Sequence, residues 1–358
     1  MTTATKPRTT RRMCGVGAFV LMGSLVLSAC SSAGSEGTTP SDEPASGGIP
    51  SGIDPQPLAE TTKITINTAA RIESFSALFL ADEMGEFEKE NLEVEFTQIA
   101  SADALTGLGL DQIQVMGAAP NGSLFNAIDQ GVAVKMAIPC YANSVDRWWV
   151  RKDKLDQADS LKGTTAASAV GPGGSSILGL DAYLQEVGLG ITDVTVKQFP
   201  AADVPTALIQ GAVDSAYVPE PGARAVEASG VAEPVDTMPK DGGSAQCVYI
   251  FGPDLLTERP EVGAAVTRAM ARTVRDYLEG DYKANPEVVA ALATALDRTE
   301  DEITATPSLE FAPDLEFKDD LFTRMQEIWL EVGGILAYDE PIAPEDLIDH
   351  RFVDAISG

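Results

Sequence analysis

Six residues, Gly171-Pro172-Gly173-Gly174-Ser175-Ser176, follow a predicted strand and open a predicted helix. Glycines let a ligand approach the backbone closely, and a helix start offers unpaired N–H groups and hydroxyls to an anion. The run lacks the Gly-Lys-Ser/Thr ending of a P-loop and does not follow GxGxxG. Its plainer use is a glycine turn with Ser175 as N-cap. Glu220 follows a strand ending at Val218 and precedes Pro221, which suits the first turn of a helix. An acid there either balances the helix dipole or pairs an amine or amidine on a ligand. The sequence holds one histidine, His350, so Ser-His and Cys-His catalysis and His-rich metal sites have little to build on. No cofactor motif is present.

Other candidates lie at strand-to-helix junctions. In Arg71–Ser76 (RIESFS), Ser74 or Ser76 can cap the next helix, or Ser74 and Phe75 can face a ligand. Asn121 and Gly122 occupy the matching place after a later strand, where Asn121 serves equally as an ordinary N-cap. Tyr217, Trp148 and Trp149 add aromatic surface. On a strand Trp148 and Trp149 point to opposite faces, so at most one of the two reaches a cleft, and the other packs in a core. An aromatic wall with one carboxylate suits a nitrogen heterocycle or zwitterion, whereas the Gly-Ser helix starts suit an oxyanion.

The elements that position these residues alternate between strand and helix. Expected strands are Lys63–Thr68, Leu92–Gln98, Gln112–Gly117 and Val132–Pro139, with helices at Phe75–Met84 and Asn121–Gln130. The rhythm restarts with Thr164–Ala169, then a turn and helix over Gly173–Gly188, followed by Val194–Phe199, Val204–Gln210, Ser215–Val218 and Pro221–Ser229. That alternation predicts an α/β fold with mostly parallel sheets. Asp146–Arg151 and Gln246–Phe251 bracket the second block and read as two strands crossing between lobes. The expected division is therefore 61–145 plus 247–358 for the first lobe, C-terminal helices included, and 146–246 for the second. Ligands in such sheets lie beyond the carboxyl ends of the strands, which here is the cleft between the lobes.

The 358 residues carry a formal net charge of −29. A surface this acidic repels nucleic acid and anionic lipid. The first thirty residues are the exception. Lys6, Arg8, Arg11 and Arg12 precede an apolar stretch, Gly15 to Val26, that is too short for a membrane-spanning helix of about 20 residues. It ends in Leu27-Ser28-Ala29-Cys30, an export signal whose last four residues resemble the bacterial lipobox. The resemblance implies a signal peptide over 1–29 and a diacylglycerol thioether on Cys30. Two or more acyl chains are what stable anchoring requires. From Ser31 to about Glu60 the chain is rich in Ser, Gly, Pro, Thr and acid, so 30–60 reads as lipidated cysteine plus flexible tether.

Three stretches resemble the nitrate/sulfonate/taurine-type and thiamine-pyrimidine-precursor-type solute-binding proteins. They are Phe79-Leu80-Ala81-Asp82-Glu83-Met84-Gly85-Glu86-Phe87; Gly211-Ala212-Val213-Asp214 with Glu220-Pro221; and Trp329 to Phe352 with Asp339-Glu340-Pro341 and Asp346-Leu347. The likeness spans nearly everything after residue 60. It implies a two-lobed type II periplasmic-binding-protein fold with two crossover strands, on the extracytoplasmic face of the membrane. Such a protein captures a small polar organic or oxyanion solute by lobe closure and hands it to an ABC permease with its ATPase; it is not an enzyme. The ligand residues so implied are Ser74, Phe75, Asn121, Gly122, Trp148, Gly173, Gly174, Ser175, Ser176, Tyr217 and Glu220. In that fold Cys140 and Cys247 lie on neighbouring strands, which implies a disulfide. Two departures bear on the ligand. Asp111-Gln112-Ile113-Gln114 replaces a Gly-x-hydrophobic-Asp, and Pro219 stands where many members carry Trp. Rival readings are an enzyme on the same fold and a sensor lipoprotein that does not transport.

Overall fold

A computed structural model describes residues 49–53, 55–155, 160–235 and 242–357. The export signal, Cys30 and most of the expected tether lie outside the described residues. The first block runs β1 (Thr62–Thr68), α1 (Ser76–Glu83), α2 (Glu86–Lys89), β2 (Leu92–Thr97), α3 (Ser101–Gly109), β3 (Val115–Ala118), α4 (Gly122–Asp129) and β4 (Lys135–Pro139). The second runs β5 (Arg147–Arg151), α5 (Lys152–Leu155), β6 (Thr165–Ser168), α6 (Ile177–Glu186), β7 (Thr195–Gln198), α7 (Val204–Ile209), β8 (Ser215–Val218), α8 (Gly222–Ser229) and β9 (Ala232–Val235). The chain returns as β10 (Val248–Phe251) and finishes in helices α9 (Pro260–Thr273), α10 (Pro286–Leu296), α11 (Glu300–Thr304), α12 (Asp319–Val332), α13 (Pro344–Leu347) and α14 (Arg351–Ile356).

Two five-stranded sheets result, ordered β2-β1-β3-β10-β4 and β7-β6-β8-β5-β9. The pattern is the same in both. A strand pairs in parallel with two others, and the fourth position holds an antiparallel strand that has come from the other lobe. β5 fills that position in the second lobe and β10 in the first, so the two crossings are reciprocal. β9 escapes the sequence rhythm because its four residues, Ala232–Val235, include a proline and a charge. It is an edge strand, where a missing ladder donor is tolerated.

The crossings are tied together. Cys140 and Cys247 form a disulfide, with Cα atoms 5.3 Å apart. Gly243 N–H donates to the Ala142 carbonyl at 2.8 Å. A Cβ at Gly243 would lie 2.6 Å from that carbonyl oxygen and 2.5 Å from the Tyr141 ring, so only glycine permits the approach.

Two placements differ from the sequence expectation. Ile49, Ile53 and Leu58 fall within the expected tether yet pack on the first lobe. Arg272 donates to the Ile53 carbonyl at 3.0 Å, and Leu58 N–H to the Glu90 carbonyl at 3.3 Å. These three apolar residues supply enough buried surface to hold a stretch whose average composition argues against order. Second, α12 serves both lobes rather than the first alone. Its Trp329 meets Phe125 of α4 edge-on at 5.2 Å, while Arg324 pairs with Asp181 of α6 at 2.7 Å.

Helix α9 is buried nearly all round, including Arg268 and Arg272. Arg268 reaches Glu90 at 2.5 Å, and Arg272 reaches Glu90 at 2.6 Å and Glu86 at 2.9 Å. Burial raises the Glu86 carboxyl, but hydrogen bonds and attraction from Lys89 and Arg272 hold it below its ordinary value. A buried arginine is tolerable only when paired in this way.

Candidate functional site

The loops that follow β1, β3, β6 and β8 leave the carboxyl ends of parallel strands, and those of the two lobes face each other. Asn121 and Gly174 form an antiparallel bridge across the divide. Two cavities draw their walls from both lobes.

The first, about 530 Å³, is lined by Ile72, Glu73 and Ser74 after β1 and by Val145 and Asp146 on the first crossing. Pro219, Glu220, Pro221 and Arg224 close it from the second lobe, and Arg298, Glu302, Ala305, Thr306, Pro307 and Leu309 from the C-terminal segment. Its charges have unequal partners. Glu73 is held by Lys283 at 2.5 Å, Tyr282 at 2.8 Å and Thr306 at 3.1 Å. Glu302 closes a capping box with Thr299, whose N–H keeps its carboxyl below the ordinary value. Glu220 Oε2 lies 3.3 Å from Arg224 Nε, without hydrogen-bond alignment. Arg224 also donates to the Ala305 carbonyl, so this guanidinium spans from the second lobe to the first.

Asp146 is different. It has no ion pair among the described residues. Tyr217 OH approaches its Oδ2 at only 3.5 Å. Burial pushes its carboxyl above the ordinary value; the Glu220 backbone N–H opposes this, and the Glu220 charge adds to it. Arg147 next to it exerts a weaker attraction, and its guanidinium donates to the carbonyls of Ser144 and Asp146. Tyr217 is itself raised well above its usual range by burial and by the Asp146 charge, which keeps its proton in place to donate.

The second cavity, about 450 Å³, is lined by Ser101, Ala102 and Leu105 of α3, by Met116, Ala118, Ala119 and residues 121–124, and by Ile250. Val170, Gly173 and Gln198 come from the second lobe and Ile335 from the C-terminal segment. Among the described residues no charged side chain lines it. Ile335 sits between the two glycine-flanked loops. A Cβ on Gly122 would lie 2.5 Å from its Cγ2, and one on Gly173 would lie 3.5 Å away. Asn126 of α4 holds the segment with bonds to Ile335 O at 2.9 Å and Ala337 N at 2.7 Å.

The residues singled out from sequence are thus divided. Ser74 and Glu220 line the charged cavity; Asn121, Gly122 and Gly173 line the uncharged one. Asn121 is also the N-cap of α4, accepting from Ser123 N and Leu124 N. Phe75, Trp148, Ser175, Ser176 and Tyr217 line neither, and Gly174 is engaged in the bridge to Asn121. Phe75 is a core residue, its ring tilted 54° against that of Tyr249 with centroids 6.0 Å apart. Trp148 is buried and donates from Nε1 to the Ser176 carbonyl at 2.7 Å, while Trp149 enters a separate core on the other face of the sheet. Tyr217 approaches Asp146 Oδ2 at 3.5 Å and is not among the residues lining the cavity. Ser175 and Ser176 are buried, and neither caps α6 through its side chain. Burial accounts for Phe75 and Trp148: at a strand edge or helix start a large aromatic packs inward whenever a core is within reach. Sequence reasoning missed Asp146, Arg224 and Ile335. The acid that opens the predicted crossing, DRWWVR, was the available signal for the first.

The NMT1/THI5-like family model matches residues 73–282. No curated protein sequence matches the chain. Among solved structures the chain is similar to the ligand-binding component of an ABC-type import system from Staphylococcus aureus, with zinc bound (13% identity, 82% of this chain and 99% of that chain, TM-score 0.59). It is similar also to the alkanesulfonate-binding protein SsuA from Xanthomonas axonopodis pv. citri bound to MOPS (19% identity, 82% and 100%, TM-score 0.54). A third similar structure is the desulfurization enzyme DSZB (16% identity, 82% and 97%, TM-score 0.51). At these identities the likeness concerns the fold, which is that of periplasmic binding proteins.

Proposed function

The chain belongs to the NMT1/THI5-like family, and from that premise we propose that it is an extracytoplasmic solute-binding protein that captures a small polar solute between its lobes for an ABC importer. The observation that carries the reading is a cavity of about 530 Å³ whose walls come from both lobes and from the first crossing between them. A solute there touches Ser74 and Asp146 on one side and Glu220 on the other. Its contacts exist together only when the lobes are closed, so binding shifts the population toward the closed form. A micromolar affinity corresponds to about 8 kcal/mol, which a few charge-assisted hydrogen bonds in a dry cleft supply. The solute is a sulfonate, nitrate or pyrimidine-like molecule, and the permease and ATPase read the closed outer surface.

Cys30 carries the lipid that keeps the protein at the membrane; among the described residues no helix is long and apolar enough to cross one. The rival reading, an enzyme on this fold, draws on the similarity to DSZB. Against it, His350 pairs with Asp319 at 3.0 Å and lines neither interlobe cavity.

Native mass spectrometry of freshly purified protein tests the reading: a small molecule released on denaturation, unchanged after incubation, is expected. Small-angle scattering with and without that molecule should show contraction on binding. Conversion of the molecule to a product would transfer the case to the enzyme reading.

A further inference from the structure

We infer that Asp146, with Glu220 beside it, reads a cationic nitrogen on the solute, so that the ligand class is a protonated amine, an amidinium or a protonated ring base and not a bare oxyanion. This rests on the binding-protein reading and narrows it.

The two carboxylates line one cavity from different origins, Asp146 from the first crossing and Glu220 from the end of β8. They are close enough for the Glu220 backbone N–H to bond Asp146 and for the Glu220 charge to act on it. Neither is fully satisfied. Asp146 has no ion pair among the described residues, and beside the Glu220 backbone N–H its carboxylate has a contact from Tyr217 at 3.5 Å. Glu220 Oε2 is buried without a hydrogen bond. Among the described residues the guanidinium that meets Glu220, that of Arg224, is committed as well to the Ala305 carbonyl of the first lobe. A carboxylate largely removed from water and short of charged partners is costly, and a positively charged donor entering the cavity offsets that cost. An oxyanion at the same place would add a third negative charge and find no donor on either carboxylate.

Because Asp146 lies on the crossing itself, a cation held there bears on the hinge, whereas one held by Glu220 alone would touch only the second lobe. That placement makes Asp146 the contact that reports occupancy to lobe closure.

The test uses the full chain and three ring compounds of nearly equal size and different charge: benzamidine (cationic), benzamide (neutral) and benzoate (anionic), each by calorimetry at neutral pH. Benzamidine is expected to bind at least tenfold more tightly than either analogue. Asp146→Asn should abolish that preference and Asp146→Glu should keep most of it, with both variants checked for an unchanged circular dichroism spectrum. Equal or tighter binding of benzamide or benzoate, or a preference that survives in Asp146→Asn, overturns the assignment. The solute released from the native protein supplies the separate arm. A released molecule with no basic nitrogen overturns the assignment and leaves the binding-protein reading standing. No released molecule, together with no binding of any of the three compounds, removes both.

Discussion

Asn121, at the start of α4 in the first lobe, pairs as an antiparallel bridge with Gly174, just ahead of α6 in the second. The described conformation therefore has its lobes in backbone contact at the place where two helix-start loops converge. Solute capture must preserve or remake that contact each time the cleft closes.

The disulfide between Cys140 and Cys247 closes a loop of 107 residues that contains the whole second lobe. In the chain-entropy account, a cross-link over that span stabilises by about 4 to 5 kcal/mol. Replacing both cysteines with serine should lower the urea midpoint accordingly, and denatured, unreduced wild-type protein should show no thiol from this pair. Finding both as free thiols would refute the bridge.

Arg272 neutralises Glu86 and Glu90 and holds the Ile53 carbonyl. Arg272→Ala leaves buried carboxylates undercompensated and should cost about 3 to 5 kcal/mol. Arg268→Ala should cost less, because Glu90 keeps Arg272. Equal losses in chemical denaturation would contradict that ordering.

Gly122 and Ile335 are in contact through the Ile335 Cγ2 methyl. Gly122→Ala forces that methyl aside and should destabilise by about 1 to 3 kcal/mol. Adding Ile335→Ala removes the clash, so the double variant should recover part of the loss, giving a coupling above about 0.5 kcal/mol. Strict additivity in a double-mutant cycle would mean that the two do not meet.

Burial holds the Asp146 carboxyl above its ordinary value. The folded chain binds that proton more tightly than the unfolded one, so this group's contribution to stability rises as pH falls through the folded value. A bound cation acts in the opposite sense, favouring the ionised form. Affinity for benzamidine should therefore weaken as pH drops, beginning above the usual carboxylate range, and the weakening should be smaller in Asp146→Asn. A profile that is flat in wild type down to that range would speak against ionised Asp146 as the contact.

Much of the fold was legible in the chain. Ser215–Val218 is a strand over the same four residues as expected, and the helix expected at Pro221–Ser229 is α8, Gly222–Ser229. Period-2 and period-3.6 patterns ending at glycines mark such elements without tertiary help. The site was less legible. Phe75 and Trp148 have the composition of ligand contacts, and on a strand end or helix start nothing local separates a ring that faces a cleft from one that faces a core. Asp146 and Glu220 are 74 positions apart, and only the pairing of β5 with β8 brings their neighbours Arg147 and Val218 opposite each other.

By itself the sequence determined the element types, the α/β class and the repeat of one strand–helix rhythm in two blocks, because these depend on side chains near one another along the chain. Tertiary structure alone decided which carboxylates stay uncompensated, which aromatics are core, and where Ile335 enters between the lobes. Those outcomes depend on desolvation and on partners supplied by distant segments, and neither is a property of any local stretch.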